Sequence, residues 1–316
     1  MSAANKASAI VFAYHDVGVR CLRVLLDAGV HVPLVVTHAD APGETIWFAS
    51  VARLAQEHGL QVAMPSDPHD SALLAQAAAA RPDFLFSFYY RHMLRREWLD
   101  MPSRGAFNMH GSLLPRYRGR VPVNWAIIHG ERETGATLHR MNEKPDNGAI
   151  VDQCAVPILC DDTAREVFTK ITVAAEIALA RSLPRLIDGT AVERPQDLSQ
   201  GGYFGGRKPE DGRIPATASA QQIHNLVRAL APPYPSAFID VAGQRVLIER
   251  TSLRHGQSRW PAGRLRLCVD QGRMWLVTAD GRLVKVLAAR LDGQAPLLQP
   301  HDFEQILGAS CVEAGN

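Results

Sequence analysis

What most limits the folds open to this chain is an alternation, in its first part, of short apolar runs with helix-length segments. "SAIVFAY" (8–14) is a buried-strand candidate, and "VGVRCLRVLLDAG" comes next with Asp16 placed to cap a helix and Gly29 to end it. "VHVPLVVTH" (30–38), "TIWFASVARLAQEHG" (45–59), "LQVAMP", "SALLAQAAAARP" (71–82) and "DFLFSF" (83–88) continue as strand, helix, strand, helix, strand. Strands that take turns with helices pair in parallel and carry helices on both faces, so the expectation is a doubly wound, mostly parallel α/β sheet. Ligands of such sheets sit at the carboxyl ends of the strands.

The turn after the first strand, "FAYHDVG", lacks G-x-G-x-x-G, and no G-x-x-x-x-G-K-[ST] occurs, so dinucleotide binding and a phosphate loop are excluded. Tyr14, His15 and Asp16 read as turn and helix cap, without a catalytic part. A long helix is expected over 161–189 with Asp161 or Asp162 as cap, and after it a Gly- and Pro-rich stretch. After one helix (220–230), alternating segments turn at Ala242-Gly243, Gln271-Gly272 and Asp280-Gly281, which points to a small C-terminal antiparallel β-barrel of OB-like type. The organisation expected is a catalytic domain (1–195), a linker (196–219) and a helix-plus-barrel domain (220–316). Tyr203, Phe204 and Arg207 of the linker are assigned to packing rather than to ligand contact.

At 316 residues the chain can bury two cores, and a net charge of +2 gives no reason to invoke a polyanion partner. Five cysteines without C-x-x-C spacing suggest neither a disulfide framework nor a metal cluster. The N-terminal residues lack a signal-peptide pattern, and no apolar run reaches the roughly 18 residues of a membrane span, so a cytoplasmic, membrane-free protein is expected.

The stretch "AFNMHGSLLPRYRGR" (106–120) is where chemistry concentrates. If 105–110 is a strand, its period of two turns Asn108 and His110 to one side, near the carboxyl end, and Phe107 and Met109 into a packed layer. An amide donor beside an imidazole can stabilise and protonate an oxyanion growing on a carbonyl. Spacing alone also admits a structural role, in which both residues satisfy backbone groups at a strand end.

The longer run "FNMHGSLLPRYRGRVPVNWAIIHGERETGATLHRM", with its N-x-H-x-S-L-L-P-x-Y-R-G pattern, resembles the core of the N10-formyltetrahydrofolate-dependent formyltransferases. The resemblance implies a Rossmann-like core, N10-formyltetrahydrofolate as co-substrate and no metal. It also implies a catalytic Asn, His and Asp, which match Asn108, His110 and the Asp146 of "KPDNGAIVDQ" (144–153), where Gly148 allows a tight turn. In these enzymes backbone groups of two loops hold the folate; the matching positions are His92, Met93 and Leu94, and Asn142, Glu143, Lys144, Pro145 and Asp146. Arg120 matches a ligand-contacting arginine.

"VFAYHDVG", "VTHADAPGE", "FASVARLA" and "FSFYYRHML" are similar to members that formylate UDP-4-amino-4-deoxy-L-arabinose on the route to modified lipid A. That implies a sugar-nucleotide acceptor and a separate decarboxylase protein supplying its precursor, since such members carry a decarboxylase domain that this chain does not match. A methionyl-tRNA formyltransferase is the alternative. It would carry a basic loop after the second strand, whereas "HADAPGETI" (38–46) is acidic. From Thr217 onward 11 Lys and Arg stand against 8 Asp and Glu, a thin surplus for gripping a nucleic acid. The family's I-D-W pattern after the linker is replaced by "GRIPATAS" (212–219). A folate- or nucleotide-binding module without turnover is the alternative of another class, and hydrolysis of formylfolate by water a third.

Overall fold

A computed structural model of the chain describes residues 7–41, 43 and 45–315; residues 1–6, Pro42 and Glu44 of the 38–46 loop, and Asn316 lie outside the described residues. The chain divides into two compact units: Met1–Pro122, Glu133–Pro157 and Phe168–Gly205 in the first, Val123–Arg132, Ile158–Val167 and Gly206–Asn316 in the second.

The first unit is built on strands β1 (Ser8–Ala13), β2 (His31–Val36), β3 (Val62–Ala63), β4 (Phe84–Phe88) and β5 (Gly105–His110). Between them run helices α1 (His15–Asp27), α2 (Val51–Glu57), α3 (Ser71–Ala79) and α4 (Arg96–Leu99). A two-residue strand β6 (Arg118–Gly119) and helix α5 (Pro122–Ile128), which belongs to the second unit from Val123 on, precede β7 (Glu133–Arg140) and β8 (Ile150–Pro157). Then come the long helix α6 (Ala164–Asp188) and the short strand β9 (Tyr203–Phe204). The sheet order is β3-β2-β1-β4-β5-β7-β8. Its first five strands are parallel; β7 and β8 pair antiparallel.

Every residue of β4 is buried, as a strand covered on both faces requires. On one face Ile10, Phe12, Leu34, Val36 and Leu85 pack with Trp98 of α4, whose indole N–H donates to the Pro68 carbonyl at 2.9 Å.

Several local expectations change. Asp16 does not cap α1: the helix begins at His15, and the Asp16 carboxylate instead accepts the Ala49 N–H at 2.9 Å. Helix α2 is capped by Ser50, whose side chain accepts from the Arg53 N–H, so the aromatic Trp47 and Phe48 stay in the preceding loop. There His15, at φ 66°, stacks on Phe48 with ring centroids 3.8 Å apart. Helix α6 begins at Ala164, so its cap falls to Thr163 rather than to Asp161 or Asp162. Thr163 and Glu166 form a reciprocal capping box, the Thr163 N–H donating to Glu166 at 2.7 Å and the Glu166 N–H to the Thr163 hydroxyl at 3.4 Å.

In the second unit, helix α7 (Ala220–Leu230) carries a capping box between Ser219 and Gln222. Strands β10 (Ala237–Val241), β11 (Gln244–Gln257), β12 (Arg266–Asp270), β13 (Arg273–Val277) and β14 (Arg282–Leu291), helix α8 (Phe303–Leu307) and strand β15 (Cys311–Glu313) complete it. Their sheet order is β10-β11-β14-β13-β12-β15, and a bridge from Val241 to Ala314 nearly closes it into an antiparallel barrel. The β10–β11 and β12–β13 turns hold both central residues at positive φ, Ala242 with Gly243 and Gln271 with Gly272, the backbone that two-residue hairpins favour. Cys268 and Cys311 face each other in register and form a disulfide, against the expectation of none. Their pairing across strands 43 residues apart in sequence leaves no local spacing signal.

Inside this unit α7 holds the 158–163 segment through buried polar groups. His224 bonds the Cys160 carbonyl and the Thr251 hydroxyl, each at 2.9 Å. The Arg228 guanidinium donates to the carbonyls of Leu159 and Asp162 and to Asn225 Oδ1.

Candidate active site

Asn108 and His110 occupy the carboxyl half of β5 and share a face, as the period of two requires. The antiparallel register sets Asn108 opposite His139 and His110 opposite Thr137 of β7. Across that register the Asn108 amide nitrogen lies 3.1 Å from His139 Nε2.

Asp146 enters from the loop after β7, at φ 58°. Its Oδ1 lies 3.4 Å from His110 Nδ1 and 3.6 Å from His139 Nε2, and its Oδ2 accepts the Gly119 N–H at 2.8 Å. The three predicted residues therefore converge, with a second histidine among them. The side chains of His110, His139 and Asp146 are 8%, 2% and 10% exposed, so these contacts are made largely out of water. Burial pushes the Asp146 carboxyl up, but His110 first, with the Gly119 N–H, brings it down to about 2. Asp146 is an anion at any ordinary pH. His110 Nε2 donates to the Tyr117 carbonyl at 2.8 Å, which leaves Nδ1 as the nitrogen turned to Asp146.

The surrounding loops are fixed by groups that local patterns do not reveal. The Thr137 hydroxyl donates to the Ser112 carbonyl at 2.6 Å and accepts the Leu114 N–H, while Gln153 donates to Thr137 and to the Leu114 carbonyl. Arg118 reaches Asn147 Oδ1 at 2.9 Å and the carbonyls of Leu198 and Gly201. Gln196 donates to the carbonyls of Asp146 and Gly148, at 2.9 and 2.6 Å. The stretch expected to be a plain linker is thus part of the site's frame. There β9 pairs with β6, and Phe204 stacks on Tyr117 at 5.1 Å, while Tyr203 is 59% exposed. Gly148 has no substitute: a Cβ there would lie 1.8 Å from the Arg140 carbonyl oxygen.

The expected folate positions form two loops at this end of the sheet. His92 and Met93 are exposed, and Leu94 is buried in the core, so only its backbone can serve a ligand. The Met93 carbonyl bonds His69 Nε2 at 3.1 Å. His38 stacks on Tyr90 at 4.1 Å, and His92 lies tilted against both rings, 5.0 Å from His38 and 5.7 Å from Tyr90. In the facing loop Asn142 accepts the Lys144 N–H at 3.0 Å, and Glu143 pairs with Arg96 at 2.5 Å. Asn142, Glu143 and Lys144 are exposed, Pro145 is half-buried, and Arg120 is exposed with its N–H on the Phe204 carbonyl. The buried hydroxyl of Tyr90 and Gln196 Oε1 have no hydrogen-bond partner among the described residues. No group of His, Cys, Asp and Glu among the described residues is arranged to hold a metal ion, and no helix among them is long and apolar enough to cross a membrane.

This arrangement can polarise a carbonyl, hold a proton on an imidazole and keep a carboxylate charged beside it. The structure is similar to an N-formyltransferase from Helicobacter canadensis in complex with folinic acid and dTDP-3-aminofucose, at 21% identity and a TM-score of 0.69, over 89% of this chain and 98% of that one. It is similar to WlaRD, a sugar 3N-formyltransferase solved with dTDP and 5-N-formyl-THF, at 18% identity and a TM-score of 0.69, over 92% and 100% of the two chains. It is also similar to the methionyl-tRNA formyltransferase of Clostridium thermocellum, at 17% identity and a TM-score of 0.56, over 79% and 95%. The family model for formyl transferase matches residues 20–183, and the model for the formyl transferase C-terminal domain matches residues 207–303. With the first of these alone spanning more than half of its length, the chain belongs to the formyltransferase family, and it is a formyltransferase.

Proposed function

We propose that the enzyme transfers the formyl group of N10-formyltetrahydrofolate to the 4-amino group of a UDP-linked amino sugar, UDP-4-amino-4-deoxy-L-arabinose. This is the reaction of the formyltransferase domain of the bifunctional polymyxin-resistance protein, on the route to modified lipid A. The observation that carries the reading is the convergence of Asn108, His110 and Asp146 at the carboxyl end of β5, supported by sugar formyltransferases of like fold bound to folates and sugar nucleotides. The short acidic loop after β2 and the small positive surplus of the C-terminal part favour a sugar nucleotide over tRNA.

The residues present fit a folate. Exposed Met93 and the exposed His92 of the His38–Tyr90–His92 ring cluster offer flat faces to a pterin, and the loops of His92, Met93, Leu94 and of Asn142 to Asp146 offer backbone donors and acceptors. Arg120, exposed on its loop, is placed to meet an anionic group of either substrate. When bound, the folate supplies a formyl group on nitrogen, activated for attack by an amine.

The chain's own residues do the rest. Asn108 presents an amide N–H to the formyl oxygen, where negative charge grows as the sugar amine adds to the carbon; losing such a donor costs on the order of 10²–10³ in rate. His110 is pinned at Nε2 by the Tyr117 carbonyl, so the proton it moves is the one on Nδ1, delivered to the departing nitrogen. Asp146, an anion, keeps that proton in place and relays the proton released by the amine back to His110 Nδ1, so both groups end as they began. The new C–N bond forms on the sugar as the old one to folate breaks, and the amine's proton balances the one given to the folate nitrogen.

The test is an assay with N10-formyltetrahydrofolate and UDP-4-amino-4-deoxy-L-arabinose, reading tetrahydrofolate by absorbance and the sugar nucleotide by mass. A gain of one formyl group on the sugar is expected. Folate binding without transfer would overturn the acceptor, transfer to methionyl-tRNA would favour the alternative, and formate released without any acceptor would point to hydrolysis.

A further inference from the structure

The geometry points to His139 as a positioning residue that decides which end of the Asn108 amide faces the reacting formyl group; this rests on the formyl-transfer reading above. An asparagine side chain is useful to a growing oxyanion only if its NH2 end, not its carbonyl, is turned the right way. The two orientations have nearly the same shape, so packing alone selects weakly between them. A hydrogen-bond partner of fixed polarity is needed.

His139 is such a partner. It is buried on β7 directly opposite Asn108. Its Nδ1 lies 2.8 Å from the Arg140 carbonyl oxygen, which can only accept, so Nδ1 carries the hydrogen. In the neutral ring Nε2 is then a bare acceptor. The atom 3.1 Å from it is the Asn108 amide nitrogen, and the Asp146 carboxylate, at 3.6 Å, lies beyond hydrogen-bond reach. Only an N–H satisfies that lone pair; the reversed amide would set its carbonyl oxygen against it. One N–H of Asn108 is therefore spent on His139, and the other stays available to the substrate.

The Arg140 carbonyl in turn stands where it does because Gly148 has no Cβ, which would lie 1.8 Å from it. A chain of three groups, the Gly148 backbone, the Arg140 carbonyl and the His139 ring, thus ends in the orientation of one amide. Each group fixes the next, so His139 acts through Asn108.

The test uses the intact enzyme with four variants: His139→Leu, His139→Gln, Asn108→Ala and the double variant Asn108→Ala/His139→Leu. His139→Leu is expected to lower kcat on the order of 10²-fold, the cost of one misdirected donor, with KM for both substrates and folate affinity nearly unchanged. His139→Gln, whose amide oxygen can accept the same N–H, recovers most of that loss. In the Asn108→Ala background His139→Leu should cost nothing further, because the group it orients is gone. Full additivity, or an unchanged kcat in His139→Leu, overturns the proposal. Nitrogen NMR of the histidine rings in the wild type gives a readout that does not depend on activity: His139 protonated at Nδ1 and bare at Nε2 supports the assignment, and the opposite tautomer refutes it even if His139→Leu fails to fold. A wild type that formylates no amine overturns the functional reading instead, and leaves the tautomer measurement to decide the orientation.

Discussion

Replacing Gly148 by alanine gives the sharpest forecast, because the structure fixes its size. The added Cβ would lie 1.8 Å from the Arg140 carbonyl oxygen, and real Cβ atoms essentially never come nearer than 3.0 Å, so the two backbones must part by at least 1.2 Å. The obstacle is backbone, which cannot swing aside as a side chain can. That separation strains the Arg140 N–H bond to the Ala149 carbonyl (2.8 Å) and the Gln196 bond to the Gly148 carbonyl (2.6 Å). It also moves Asp146, two residues upstream, against His110. Overpacking of this kind costs about 1–3 kcal/mol of stability, and misplacement by about 1 Å costs on the order of 10² in rate. The assay pairs kcat for formyl transfer with thermal unfolding, and takes Gly205→Ala as the control, since a Cβ there meets nothing within 4 Å. A Gly148→Ala enzyme as fast as the wild type, or a Gly205→Ala enzyme slowed equally, would refute the reasoning.

Asn108→Ala should lower kcat on the order of 10²–10³-fold while folate still binds, as equilibrium titration would show. Asp146 sits near 2 in the folded protein against an ordinary aspartate value of 3.8, so its contribution to stability is complete above pH 4 and fades as the pH falls toward 2. The shift corresponds to about 2 kcal/mol, and urea unfolding between pH 2 and 5 should show the wild type losing that much more than Asp146→Asn. Gln196→Ala removes both bonds to the Asp146 loop and should reduce kcat by roughly tenfold with a loss of about 1–3 kcal/mol in denaturant titration. Arg228→Ala leaves the buried Asn225 side chain and two part-buried carbonyls without their donors, and should cost about 2–4 kcal/mol by the same measurement without changing folate affinity.

The parallel half of the sheet was legible because its strands announce themselves as apolar runs between helical segments, and Asn108 and His110 because a strand's period of two is a local rule. Asp146 came only through resemblance, as nothing in "KPDNG" shows that its loop folds back onto β5. His139 was invisible for a related reason: its place beside Asn108 is a matter of antiparallel register, which the segment 133–140 does not encode within itself. The strands of 133–140 and 150–157 escaped notice because "ETGATLHR" and "IVDQCAVP" mix small and polar residues with apolar ones, and tertiary pairing decides their conformation. Gln196 and the Cys268–Cys311 pair depend likewise on partners 50 and 43 residues distant in sequence.

The anchoring of the 158–163 segment by His224 and Arg228 has a consequence for how such enzymes can be recombined. A chimera joined at 205–206 would keep Gln196 with its loop, but the incoming α7 would meet a foreign Leu159, Cys160 and Asp162. Because 123–132 and 158–167 belong to the same unit as the chain from Gly206 onward, no single crossover exchanges the second unit whole. Viable transplants need these three pieces to be inherited together, so a new acceptor is more readily reached by changing loops one at a time than by trading the barrel.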